Sequence, residues 1–282
     1  MNYLEYLCIF ELSIMSGIEA FILGIIQGLT EFLPVSSSGH LIIGKELLGV
    51  QINPDAETTF EVLVHCATVL STICVFWSEI LKLFQGLFKF RINEETKYVF
   101  KICISILPVL FLGIFFEKQV GVIYGKGAVI LVGGMLLVTA VLLSLTHYVK
   151  FKERRNISYL DSLLIGVSQA IAVLPGLSRS GITISTGLLL GNRKEDITRF
   201  SFLMVLIPVL GKTFLDIMQG KFSQEVSGIP IPVMIIGFVA AFMSGWLACK
   251  AMIALVKQSK LIYFAIYCAI VGATVLIWQF FV

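Results

Sequence analysis

Six apolar runs, at about 62–78, 102–116, 128–148, 200–218, 231–250 and 261–281, constrain this chain more than any other feature. Each approaches the roughly 20 residues that a helix needs to cross a bilayer. Inside a bilayer every backbone N–H and C=O must be satisfied internally, which leaves helices or a closed barrel. Long alternating segments of the barrel type do not occur, so the chain reads as an all-α polytopic membrane protein with six transmembrane helices. Composition agrees: 57% of residues are hydrophobic and 14% charged, with a mean hydropathy of +0.95, far from soluble-domain values. The formal charge of +3 is too small and dispersed for nucleic-acid binding. Cys8, Cys66, Cys74, Cys103, Cys249 and Cys268 form no CxxC pair and mostly sit in apolar runs, so they read as ordinary buried thiols rather than zinc ligands or disulfides.

Charge placement sets an orientation. Fifteen of the 21 basic residues fall in the connections 79–101, 149–158, 191–199 and 250–260, which the positive-inside rule assigns to the cytoplasm. Residues 1–17 read as an N-terminal extension with no basic n-region and no clear cleavage site, unlike a secretory signal. Met15-Ser16-Gly17 reads equally as a start, with Ser16 capping the helix that follows. Residues 18–282 form a single membrane domain.

Against this background the stretch Gln27 to His40 packs an acid, three hydroxyls and an imidazole into lipid-like surroundings, where such groups are expensive and functional by default. Gln27 and Glu31 share a helix face, and Pro34 ends that helix near Leu33. Ser36, Ser37 and Ser38 suit an N-cap, so a returning helix over about 38–48 aims its positive end at the Gln27/Glu31 face. The first of the two, about 18–33, would be roughly 24 Å long at 1.5 Å per residue. That is short of a full crossing, and a re-entrant half-helix hairpin is expected, followed by a polar loop over 49–59. Shifting the chain by 142 positions lays Gly24 on Gly166, Gln27 on Gln169, Ser36 on Ser178, Ser38 on Ser180, Gly39 on Gly181 and Gly49 on Gly191. Two hairpins, each followed by three spans and flanked by charges on opposite sides, make an inverted repeat of about 18–148 and 159–282. In such folds the broken helices meet inside the membrane at the binding site. The plainer alternative, proline and glycine kinks in ordinary membrane helices, does not explain why the kinks carry nearly all the intramembrane ionisable groups.

The two hairpins together describe a phosphate site. Arg179 offers a planar fork of donors, Ser178 and Ser180 offer hydroxyls and caps, and both helix N-termini offer backbone N–H groups. A carboxylate beside a phosphate is repulsive unless it is protonated, binds a divalent cation or acts as a base, so Glu31 argues for chemistry or metal. A structural ion pair from Glu31 to Arg179 is the bland alternative and does not exclude catalysis. Ser37, at the helix N-terminus, is the favoured nucleophile, with His40 or Glu31 to accept its proton; His40, three residues on and on the same face, is in range to serve as base and then acid. Direct attack by His40 is the competing assignment. His65 and His147 read as buried structural imidazoles, Glu61 stands at the outer end of a span where an entrance would be, and Lys212 has no assigned role.

The run from Ile25 to His40, followed by Leu174-Pro175-Gly176-Leu177-Ser178-Arg179-Ser180-Gly181, resembles the undecaprenyl-diphosphate phosphatases, the bacitracin-resistance proteins of bacteria, and the likeness extends from about Ile18 to the C-terminus. The resemblance implies a multi-pass hydrolase of the bacterial plasma (inner) membrane, with its active site facing the outside or periplasm. It would remove one phosphate from undecaprenyl diphosphate and regenerate the monophosphate carrier used for peptidoglycan synthesis. By motif, Gln27 and Glu31 occupy the (E/Q)xxxE positions assigned to metal and acid/base work, with Mg²⁺ or Ca²⁺ as the cofactor. Ser36, Ser37, Ser38 and His40 occupy the serine–histidine segment, and Ser178, Arg179 and Ser180 the phosphate-binding segment. Gln27 is the neutral variant, which weakens a two-carboxylate metal site, and Lys212 and His65 stand where the family more often has uncharged residues. Expected partners are the bilayer and a polyprenyl diphosphate, with a homodimer as the one protein partner considered. The alternative from a different class is a transporter or flippase of a phosphorylated lipid, since inverted repeats with broken helices also build secondary transporters.

Overall fold

The computed structural model describes residues 15–50, 52–89, 91–116, 128–148, 156–220, 222, 228–258 and 260–281. Most of the expected N-terminal extension, together with Cys8, lies outside the described residues. The twelve described elements are all α-helices, and six stretches among them are long and apolar enough to cross a membrane: Ala56–Val75, Glu94–Phe115, Ala128–Tyr148, Lys194–Met218, Ile231–Val256 and Leu261–Trp278. This is a multi-pass all-α membrane protein. Its perimeter is accordingly apolar, with Phe111, Phe115, Ile130, Leu247 and Ile270 exposed.

Helix α1 (Gly17–Phe32) starts at a reciprocal cap. The Ser16 hydroxyl accepts the Glu19 N–H at 3.2 Å and the Glu19 carboxylate accepts the Ser16 N–H at 2.7 Å. It ends at Leu33, held extended at φ −70°, ψ 142° by the following Pro34. Helix α2 (Ser37–Leu48) is capped by Ser36 and closed by Gly49 at φ +66°, a left-handed turn that glycine adopts without penalty. Then follow α3 (Pro54–Val75), α4 (Trp77–Leu87), α5 (Glu94–Phe115) and α6 (Ala128–Tyr148). The local plan then recurs. Helix α7 (Tyr159–Ile171) opens with a Ser158–Asp161 capping box, α8 (Arg179–Leu189) is capped by Ser178, and Gly191 follows at φ +84°. Every one of these landmarks lies 142 positions after its counterpart. Helices α9 (Lys194–Met204) and α10 (Leu206–Met218) run on with a break only at Val205, and α11 (Ile231–Lys257) and α12 (Leu261–Trp278) complete the bundle.

Several boundaries differ from expectation. The polar loop after α2 is shorter than 49–59, because Asn53 caps the Ala56 N–H at 2.6 Å and Pro54 occupies the first helical turn, where its missing N–H costs nothing. The 79–101 connection is not all loop: α4 runs into it, and α5 begins at Glu94 under an Asn93 cap, so polar turns extend the apolar run. Pro108 lies inside α5 without ending it. Of the five described cysteines, all free, only Cys249 and Cys268 are buried; Cys74 and Cys103 are exposed on the apolar perimeter.

Close helix contacts fix the short helices. Helix α1 packs on α11 through facing small residues: a Cβ on Gly24 would sit 2.5 Å from the Gly237 carbonyl oxygen, and one on Gly28 2.5 Å from that of Ala241. Helix α7 packs as tightly on α5, where a Cβ on Gly166 would lie 2.3 Å from the Ser105 oxygen. Apolar helices bury no additional hydrocarbon by associating in lipid, so dispersion across such close approaches is what holds them. The turns that join α1 to α2 and α7 to α8 abut each other, a Cβ on Gly39 being 3.0 Å from the Gly176 Cα.

Candidate active site

Where the two turns meet, a polar cavity of about 200 Å³ opens, lined by Thr30, Glu31, Ser36, Ser37, Ser38, His65, Ser178, Arg179 and Ser180 among others. Its floor is built by the helix starts. The Ser36 hydroxyl accepts the Gly39 N–H at 3.3 Å and the Ser178 hydroxyl the Gly181 N–H at 3.0 Å, so both caps are made. The remaining N–H groups of each first turn have no acceptor within their own helix, and they lend both N-termini positive character beside the cavity. The Ser180 hydroxyl donates to the Leu33 carbonyl at 3.3 Å, tying α8 to the end of α1.

Glu31 is the hub, with a side chain only 7% exposed. One carboxylate oxygen accepts from the Arg179 guanidinium, 148 positions away in sequence. The other accepts the Ser37 hydroxyl at 2.6 Å and the Gln27 Nε2 at 2.9 Å, with His65 Nε2 at 3.6 Å. Thus the ion pair anticipated between Glu31 and Arg179 exists, and it joins the two halves of the chain. A buried pair of this kind is expensive to desolvate and specifies a site more than it stabilises a fold.

The structure brings together Gln27, Glu31, Ser36, Ser37, Ser38, Ser178, Arg179 and Ser180, as their spacing suggested. It does not bring in the His40 ring as expected. Nδ1 of His40 lies 2.8 Å from the Ser36 carbonyl oxygen and Nε2 lies 2.8 Å from the Tyr267 hydroxyl, with the two rings stacked. The acceptor facing Ser37 is Glu31. A histidine on the fourth residue of a helix naturally reaches back to the N-cap carbonyl, and that local bond takes the ring away from the serine. Conversely, His65, expected from the sequence to be a structural imidazole, lines the cavity. It sits on α3, whose hydropathy says nothing of which face meets Glu31. Glu61 pairs with Lys45 at 2.8 Å, and Glu57 joins the same cation. Lys212 lies 3.5 Å from Asp216 and is half exposed.

Ser36 is the only non-glycine residue at positive φ among the described residues, at φ 71°, ψ 96°. Such a conformation costs on the order of 1–3 kcal/mol and persists where surrounding contacts over-determine it, commonly at functional sites.

Gln27 bears on metal binding. Its side chain is fully buried, and its Oε1 finds no hydrogen-bond partner among the described residues. An orphaned oxygen one turn from a carboxylate is a donor set that suits a hard divalent cation. No group of three or more His, Cys, Asp or Glu side chains able to hold a metal is found among the described residues; Glu31 and the Gln27 oxygen would hold such an ion together with further oxygen donors.

Comparison with known proteins places this geometry. The chain is 54% identical over 264 residues to the undecaprenyl-diphosphatase of Bacteroides fragilis strain YCH46, covering 93% of this chain and 98% of that protein. It is 54% identical over 266 residues to that of Bacteroides thetaiotaomicron, covering 94% and 100%, and 32% identical over 268 residues to that of Oceanobacillus iheyensis, covering 93% and 96%. The family model described as bacitracin resistance protein BacA matches residues 20–274, which contain every residue lining the cavity. This chain belongs to the BacA family of bacitracin resistance proteins.

Proposed function

We infer that the protein is an undecaprenyl-diphosphate phosphatase, hydrolysing undecaprenyl diphosphate to undecaprenyl phosphate and inorganic phosphate. It thereby recycles the lipid carrier of cell-wall synthesis and confers bacitracin resistance. The observation that carries the chemistry is the linked set Ser37–Glu31–Arg179 at the junction of two helix N-termini. The transporter alternative is set aside, since the relatives compared are named as diphosphatases.

In this reading the Ser37 hydroxyl attacks the terminal phosphorus as Glu31 accepts its proton. The Oγ–P bond forms, the bridging P–O bond breaks, and its electron pair leaves on the lipid monophosphate, which takes the proton from Glu31. Arg179 swings part of its fork from Glu31 to the equatorial oxygens, and the helix N-termini of α2 and α8 neutralise the rest. Glu31 then draws a proton from water, whose oxygen attacks the phosphorus; the Oγ–P bond breaks with its electron pair on Ser37 Oγ, which takes the proton back from Glu31, and inorganic phosphate is freed. Ser36, Ser38, Ser178 and Ser180 orient the diphosphate. Glu31 and the Gln27 amide oxygen would hold Mg²⁺ or Ca²⁺ together with phosphate oxygens, and a bound cation would neutralise charge on the diphosphate. Nothing in the reaction calls on a second copy of the chain.

We take α1–α2 and α7–α8 to be re-entrant hairpins related by an inverted repeat. What supports this is the shortness of α1, about 24 Å at 1.5 Å per residue, the recurrence of caps and turns at a constant offset, and the basic connections on one side. In that topology the site faces outward from the plasma membrane. The assay is phosphate release from a polyprenyl diphosphate by purified protein in detergent: Ser37→Ala abolishes it while lipid binding persists. Clear turnover by Ser37→Ala, or an acid-labile phosphoenzyme on His40, would move the nucleophile to His40.

A further inference from the structure

We propose that His40 is a positioning residue completed by Tyr267: the pair braces the left-handed Ser36 turn that aims Ser37 at Glu31. The proposal rests on the phosphatase reading above for its activity arm only. Ser36 accepts two hydrogen bonds on its carbonyl oxygen, from the His40 N–H at 3.1 Å and from His40 Nδ1 at 2.8 Å. A carbonyl can only accept, so Nδ1 carries a proton; in the neutral ring Nε2 is then an acceptor, and the Tyr267 hydroxyl at 2.8 Å donates to it. Both ring nitrogens are committed: the Ser36 carbonyl sets the tautomer and Tyr267 on α12 satisfies the other nitrogen.

The second copy of the motif supplies the comparison. Ser178 caps α8 as Ser36 caps α2, and the Ile182 N–H meets the Ser178 carbonyl at 2.8 Å just as the His40 N–H meets that of Ser36. Ile182 has no side-chain donor, and there the cap residue is relaxed, at φ −70°, ψ 115°. Positive φ and the extra imidazole bond therefore occur together, in the copy whose next residue is the Ser37 that touches Glu31. Helix α12 also grips the other side of the turn. Cys268, beside Tyr267, directs its thiol to the Pro34 carbonyl at 3.7 Å, and Val35 packs in a cluster with Cys268, Val132 and Leu136. Adjacent residues of one helix thus hold both ends of the Pro34–Ser36 turn.

The test uses the full chain in detergent with farnesyl diphosphate as probe, alongside amide hydrogen exchange at Gly39 and His40. Tyr267→Phe should lower kcat by about tenfold, the scale of one lost hydrogen bond, with KM unchanged and exchange accelerated. His40→Ala should lower kcat at least a hundredfold, and Tyr267→Phe should add nothing to it. His40→Asn, whose amide can donate near the Nδ1 position but cannot transfer protons, should restore kcat to within about tenfold of wild type and restore slow exchange. An inactive His40→Asn with slow exchange would make His40 an acid or base and overturn the proposal, as would Tyr267→Phe with unchanged kcat and exchange. If the wild-type protein releases no phosphate, the phosphatase reading fails while the exchange measurements still decide the brace. Should His40→Ala elute as aggregate, Tyr267→Phe and His40→Asn carry the test.

Discussion

Replacing Glu31 by Gln removes one charge and almost no volume, so its consequence is set by the four groups around the carboxylate. An amide has one acceptor oxygen and one donor NH₂. If its oxygen faces Arg179, its NH₂ meets the Gln27 Nε2 donor and no longer takes the Ser37 proton. If it is flipped, two donors oppose each other at Arg179. In either orientation a buried donor is left unpaired and the Arg179 charge loses its counter-ion. Breaking a buried pair from one side costs about 3–5 kcal/mol, and since the Arg179 side chain is 24% exposed, partial hydration keeps the loss near the lower end, at roughly 3 kcal/mol. Catalysis loses its proton acceptor as well, a factor of about 10²–10⁴. Expected, then, is a folded but less thermostable protein whose phosphate release falls at least a hundredfold, at saturating substrate and with or without added Mg²⁺. Turnover within tenfold of wild type would refute Glu31 as the base.

Arg179→Lys should remain folded, because an ammonium still neutralises Glu31, yet lose most phosphate release, because a point charge cannot span two phosphate oxygens; near-normal turnover would make Arg179 structural. Gly166→Ala should destabilise the protein by at least about 2 kcal/mol in a detergent melt, since its Cβ would drive the α7 helix off Ser105, and an unchanged melt would disprove that contact. Cysteines placed at Glu46 and Gln219 should react with an impermeant reagent from outside intact cells and cysteines at Ile92 and Asn156 should not; outside labelling of all four would sink the inverted topology.

What the sequence determined by itself was everything whose cause lies within about four residues or in the hydropathy of a window. Six apolar runs predicted six spans, Pro34 ended α1, and Ser16, Ser36 and Ser178 capped their helices because capping, proline sterics and amphipathic spacing are local. The same locality made Glu31, Ser37 and Arg179 legible as a set, since two marked motifs recur at one offset. Tertiary structure alone decided what meets what across that offset. Hydropathy ranks a residue but does not orient it, so nothing in α3 distinguished His65, which reaches the cavity, from His147, which ends α6 against Tyr148. Nothing in the apolar run of α12 marked Tyr267 as the partner of His40. The expectation that His40 serves Ser37 rested on helical spacing, which fixes a shared face but not a rotamer. The ring's direction was settled by the Ser36 carbonyl behind it and a hydroxyl 227 positions away, and such contacts exist only once the helices have packed.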